Sequence, residues 1–146
     1  MRTPNQSYRA YYQTNVQTSD QLTLIIMLYD GMIRFLKKAE SRAQANDIEG
    51  THNYLMRSKD IVNELLSTLR VENTGDVGKN LRELYLYMFR RIVEANLRKD
   101  PEIIGELIKI TDTLRQGWTQ LRQQSVEQKQ RAAAQAAARG TFRAQG

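Results

Sequence analysis

The sequence predicts an all-α protein: an antiparallel up-down four-helix bundle with a mobile N-terminal arm or short cap helix. Three observations carry this prediction. Apolar residues recur at spacings of three and four through four long segments, the period of helices buried on one side. The breaks between the segments are short and hold turn formers, which makes consecutive helices antiparallel neighbours. A length of 146 residues suits one domain with a moderate core. The expected organisation is an arm or cap over 1–20, the bundle over 21–124 and an Ala-rich basic tail over 125–146.

The arm is polar, with Tyr8, Tyr11 and Tyr12 inserted. Tyrosine rings favour an apolar surface, so the arm is expected to dock rather than merely fray. The first helix is expected to begin at Asp20, whose carboxylate suits an N-cap, and to run to about Ala45. One face holds Leu24, Ile25, Leu28, Met32, Phe35, Leu36 and Ala39. A flanking strip holds Leu22, Ile26, Tyr29 and Ile33, while Arg34, Lys37 and Lys38 mark the wet side.

Asn46-Asp47 breaks the chain before a second helix over 48–70, although Glu49-Gly50 blurs its start. Its core face is Ile48, Leu55, Val62, Leu65, Leu66 and Leu69, flanked by Tyr54 and Ile61. A loop over 71–75 leads to the third helix, which ends near Arg98. That helix carries two apolar strips. The first, Val77, Leu81, Leu84, Tyr85, Met88, Ile92 and Ala95, faces a core. The second, Leu86, Phe89, Val93 and Leu97, lies on another side of the same helix.

Asp100-Pro101 is the clearest punctuation, since Asp caps and Pro favours the first helical position. The fourth helix is expected to reach about Gln124, with Ile104, Leu107, Thr111, Leu114, Trp118 and Leu121 on its core face. Alanine-rich residues beyond it favour helix but offer no large stripe to pack. They are expected to fray and then to be disordered after Gly140.

Chemistry is hard to place in this chain. With no Cys there is neither disulfide nor thiolate, which fits a reducing compartment. The longest apolar run, 24–29, is too short to span a bilayer, and residues 1–20 hold no apolar signal core. A cytoplasmic location is therefore expected, without membrane insertion. Of the net charge of +6, half lies in the tail, where Lys129, Arg131, Arg139 and Arg143 outnumber Glu127. A nucleic-acid binder would carry its basic charge on the fold, so no nucleic-acid partner is expected. The single histidine, His52, lacks a nucleophile and an orienting partner. Glu49 and His52 have the spacing of a bundle metal site, but no second copy exists. GDVGKN at 75–80 lacks the full phosphate-loop spacing. No catalytic residue, metal or cofactor is expected, and the chain reads as a non-enzyme.

What remains is surplus apolar surface. Ile26, Tyr29 and Ile33 add to Leu86, Phe89, Val93 and Leu97, and a soluble monomer usually avoids so large a bare patch. One reading is a groove for an amphipathic helix of another protein, with the tyrosine arm as its temporary cover. The other is a symmetric helical homodimer with no unfolded client, or simply a wide core.

The residues at this point resemble a known family. The arm Y8-R-A-Y11-Y-Q with V16-Q-T18 is similar to the N-terminal tyrosine motif of FliS, the flagellin-specific export chaperones of bacteria. L24-I-I-M-L-Y-D-G31 resembles the first-helix signature of that family. N80-L-R-E-L-Y-L-Y-M-F-R-R-I-V-E-A-N96, followed by Asp100 and Trp118, resembles its most distinctive segment. Gln21 stands where many members have Pro, and Leu86 where many have Asp. The resemblance implies that the chain binds the C-terminal helices of unpolymerised flagellin and prevents premature polymerisation. It further implies delivery of the client to the export-gate membrane protein, with Tyr8 and Tyr11 capping the groove and acting at the gate. Other flagellar regulators, such as an anti-sigma factor, are further expected partners. The chain is expected to be a monomer or weak dimer. The Ala-rich tail lies outside the resemblance.

Overall fold

A computed structural model describes residues 18–71 and 75–145. It contains four helices: α1 (Thr18–Gln44), α2 (Ile48–Val71), α3 (Gly75–Arg98) and α4 (Pro101–Gln145). No strand occurs among the described residues.

The helix ends follow from local chemistry. α1 stops because Asn46 adopts a left-handed conformation, φ 58°. Asn46 N–H then donates to Ala43 O at 3.1 Å and Asp47 N–H to Arg42 O at 2.9 Å. These two bonds satisfy carbonyls that the helix end would leave open. Asp47 next caps α2, its Oδ1 accepting from Gly50 N–H at 2.9 Å. A side chain at Gly50 would collide with that carboxylate, so the glycine that blurred the start of the helix makes room for its cap. The same device recurs between α3 and α4. Lys99 takes φ 52°, Asp100 N–H reaches Ala95 O at 3.3 Å, and Asp100 Oδ1 accepts from Glu102 N–H at 2.9 Å. At the other end of the chain, α1 starts at Thr18, so Asp20 falls inside the first turn and is not the cap.

The helices pack as a ring in which α1 touches α2 and α4, and α3 touches α2 and α4. Short connections make each neighbour antiparallel, and contacts fix the register. Between α2 and α3, His52 meets Asn96 and Lys59 meets Phe89. Between α1 and α4, Arg115 pairs with Asp30. The core holds Leu28, Met32, Leu36, Leu55, Val62, Leu65, Met88, Ile92, Ile104 and Leu107, all fully buried. Across it, the hydroxyls of Tyr29 and Tyr85 hydrogen-bond to each other.

Three residues assigned to core stripes are exposed: Ile48, Val77 and Leu121. Ile48 and Val77 lie in first turns and Leu121 in the distal half of α4, where the stripe runs past its neighbours. α4 itself continues to Gln145, beyond both Gln124 and Gly140. Its alanines have the highest helix propensity of any residue, and no proline interrupts them. The arm, including Tyr8 and Tyr11, lies outside the described residues.

Candidate functional site

The two surplus strips meet different fates. On α1, Leu22 and Ile26 are buried and Tyr29 is 0% exposed, while Ile33 is half-buried. Tyr29 is thus part of the core rather than of an open surface, contrary to the expectation from spacing, whereas Ile26 is buried but lies outside that core cluster. α4 lies along α1 and fastens to it through Arg115 and Asp30. Burial raises the Tyr29 phenol far above its usual range, with the Tyr85 hydroxyl adding to the effect. Burial likewise pushes the Tyr85 phenol up to about 12.

The strip on α3 stays open. Leu86 is 38% exposed, Val93 39% and Leu97 81%, and Phe89 is half-buried against the core. From Leu86 to Leu97 the strip runs about 17 Å, or three helical turns. Beside its first residue, Leu66 and Leu69 of α2 join Leu86 and Arg82 around a groove of about 260 Å³. Farther along the same seam, the Lys59 ammonium stands 5.9 Å from the centre of the Phe89 ring. Asn96 Nδ2 donates to His52 Nδ1 at 2.8 Å, so the histidine serves as a seam contact. Leu66 and Leu69, expected on the core face of α2, are half-buried and pack against the core while also lining this groove. Aligning α2 antiparallel to α3 would have placed them at the edge, level with Leu86.

The seam between α1 and α2 shows what closure looks like. Phe35 and Tyr54 stack there with ring centres 6.4 Å apart, and Arg57 lies over both rings. The α2–α3 seam has one cation over one ring.

The opposite flank of α3 is polar and latched to α4. Arg91 Nη1 donates to Glu94 Oε2 at 2.6 Å, and Nη2 donates to Glu106 Oε2 at 2.7 Å. Tyr87 adds its hydroxyl to Glu106 Oε1 at 2.8 Å. The Arg91 and Tyr87 hydrogen bonds hold the Glu106 carboxyl below its ordinary range. A larger open depression of about 640 Å³ lies between α1 and α4, rimmed by Glu40, Glu102, Glu106 and Lys109. Its charged rim gives an amphipathic helix no continuous apolar strip to follow. No helix of the described residues is long and apolar enough to cross a membrane.

Comparison with known proteins shows the family. A family model described as flagellar protein FliS matches residues 4–125. The flagellar secretion chaperone FliS of Bacillus subtilis is 31% identical over 113 residues, 77% of this chain and 84% of that protein. That of Campylobacter jejuni is 32% identical over 117 residues, 80% of this chain and 91% of that protein. That of Salmonella typhimurium is 32% identical over 118 residues, 77% of this chain and 87% of that protein. The match spans α1, α2, α3 and the first half of α4, and ends before the tail. The chain belongs to the FliS family of flagellar secretion chaperones.

Proposed function

We propose that the chain is a cytoplasmic, non-enzymatic export chaperone that holds the C-terminal helices of unpolymerised flagellin on the open flank of α3. One observation carries this reading: Leu86, Val93 and Leu97 form an exposed apolar strip along one side of α3, beside its seam with α2. An amphipathic client helix laid along α3 would bury its own stripe there, with Phe89 and Leu66 as the floor. Holding those helices keeps them from their partners in a filament, and delivery to the export gate follows as the releasing step. Tyr8 and Tyr11 of the arm are assigned to covering the strip and to the gate step.

Magnitudes are compatible with a reversible hold. Each large apolar side chain fully buried gains roughly 1.5–3 kcal/mol. Ordering a disordered client costs about 2–5 kcal/mol, in addition to the cost of association. Four such residues matched by four on the client leave room for micromolar to nanomolar affinity, about −8 to −12 kcal/mol.

The test is a calorimetric titration with the C-terminal segment of flagellin from the same organism, with circular dichroism alongside. One-to-one binding with a gain of helix and a negative heat-capacity change is expected. Absence of binding at high micromolar concentration would overturn the proposal.

A further inference from the structure

We infer that the helix held on the α3 strip carries acidic side chains beside its apolar stripe, and that basic residues flanking the strip select it. This inference rests on the client reading above. Cations crowd the strip. At 100° per residue, Arg82, Lys79 and Arg90 lie within about 55° of the axis through Leu86, Phe89, Val93 and Leu97. All three are exposed, and among the described residues none is in an ion pair. Lys59 adds a fourth positive charge from α2, over the Phe89 ring. The nearest carboxylate on α3, Glu83, lies farther round, about 75° from the axis. Asp60 of α2 is turned away from Lys59 by a full residue step.

The opposite flank shows that the arrangement is selective. There Arg91 and Arg98 are both paired, with Glu94 serving each and Glu106 completing Arg91. The unpaired cations are thus confined to the side of α3 that is also apolar and open. A surface built only for solubility would mix both signs.

Charge also rules out other occupants. A second copy docked strip to strip would bring Arg82 and Arg90 of both chains together, like on like. The tail helix carries Lys129, Arg131, Arg139 and Arg143, and no apolar side chain larger than Val126 between Ser125 and Gly140. The arm holds Arg2 and Arg9 and no carboxylate before Asp20. It gains nothing from the rim, so an acidic client would displace it on charge as well as on area. A polynucleotide would satisfy the cations but leave Leu86, Val93 and Leu97 in water.

The test uses the full chain and the C-terminal segment of flagellin from the same organism. Association rate and Kd are measured at about 0.1 M and about 1 M salt, where screening lengths are about 10 and 3 Å. The wild-type chain should lose roughly tenfold in affinity at the higher salt, mostly through its association rate. The double variant Arg82→Glu with Arg90→Glu should lose roughly tenfold or more at low salt and lose the salt dependence. Both residues are exposed and unpaired, so its helicity should match wild type by circular dichroism. The control Arg131→Glu with Arg139→Glu makes the same change in net charge on the tail and should shift Kd less than twofold. Wild-type affinity in the Arg82/Arg90 variant, with Leu86→Asp still abolishing binding, would overturn the charge inference and leave the client site standing. Equal losses in the rim and tail variants would also overturn it, since only net charge would then matter. No binding by the wild-type chain at either salt would remove the client reading and this inference together.

Discussion

α1 and α3 each carry a second apolar strip at similar spacing, yet only one strip is covered. Leu22, Ile26 and Tyr29 are buried, whereas Leu86, Val93 and Leu97 face water. The difference lies in the neighbours. α1 sits between two helices that follow it along its length, and its contacts to both are extensive. α3 meets α2 and α4 more sparsely, and the flank toward α2 ends in the long side chain of Lys59. The angular width of an apolar arc states how much surface needs covering. It does not state whether the same chain does the covering.

The comparison breaks most visibly under one substitution made in both strips. Ile26→Asp buries an unpaired carboxylate and should cost more than about 3 kcal/mol, seen as loss of the cooperative thermal transition. Val93→Asp should leave the melting midpoint within a few degrees while weakening flagellin binding at least tenfold, read by calorimetry. If both variants unfold alike, the α3 strip is core and the contrast disappears.

The buried end of the α1 strip can be sharpened at its hydroxyl pair. Tyr29→Phe leaves the Tyr85 hydroxyl buried without its partner and should cost about 1–2 kcal/mol in urea unfolding. The double variant with Tyr85→Phe should recover part of that loss, because both polar groups are then gone. pH provides a gentler probe. Both phenols are raised by burial, Tyr85 to about 12 from an ordinary 10.0. The folded state therefore holds these protons more tightly than the unfolded chain. Their contribution is complete below pH 10 and is lost as pH rises toward 12. Thermal midpoints should fall over that window in the wild type, and less in the double phenylalanine variant.

The smallest effect belongs to the polar flank. Glu106→Gln removes the carboxylate shared by Arg91 and Tyr87, but the pair is solvent-facing. The expected cost is under about 1 kcal/mol and should shrink further in salt. A large cost would mean that the latch, rather than the core, holds α3 to α4.

Much of this was legible before the structure. The Asp100-Pro101 boundary, the four helices and the presence of a second apolar strip on α3 follow from capping chemistry and period, but not that this strip stays open. Tyr29 shows the limit. Its position on the helix was right, but its burial sets it against Tyr85 of α3, which arrives dozens of residues later. The roles of Leu66 and Lys59 were hidden for a related reason. Each belongs to a seam, and a seam is defined only when two helices are set in register. Gly50 misled in the other direction: a poor helix former inside a first turn is what its capping aspartate requires.

The long last helix changes how the particle travels in solution. Residues 126–140 are exposed on every side, so α4 leaves the bundle as a rod. At 1.5 Å per residue, some twenty residues reach about 30 Å, comparable to the width of a small domain. Friction scales with reach rather than with mass. A single chain will therefore elute from a sizing column early, at the position of a larger compact protein, and will sediment slowly for its 16.9 kDa. Removing residues 127–146 should delay elution by far more than the lost mass accounts for, and only light scattering will report the true number of chains.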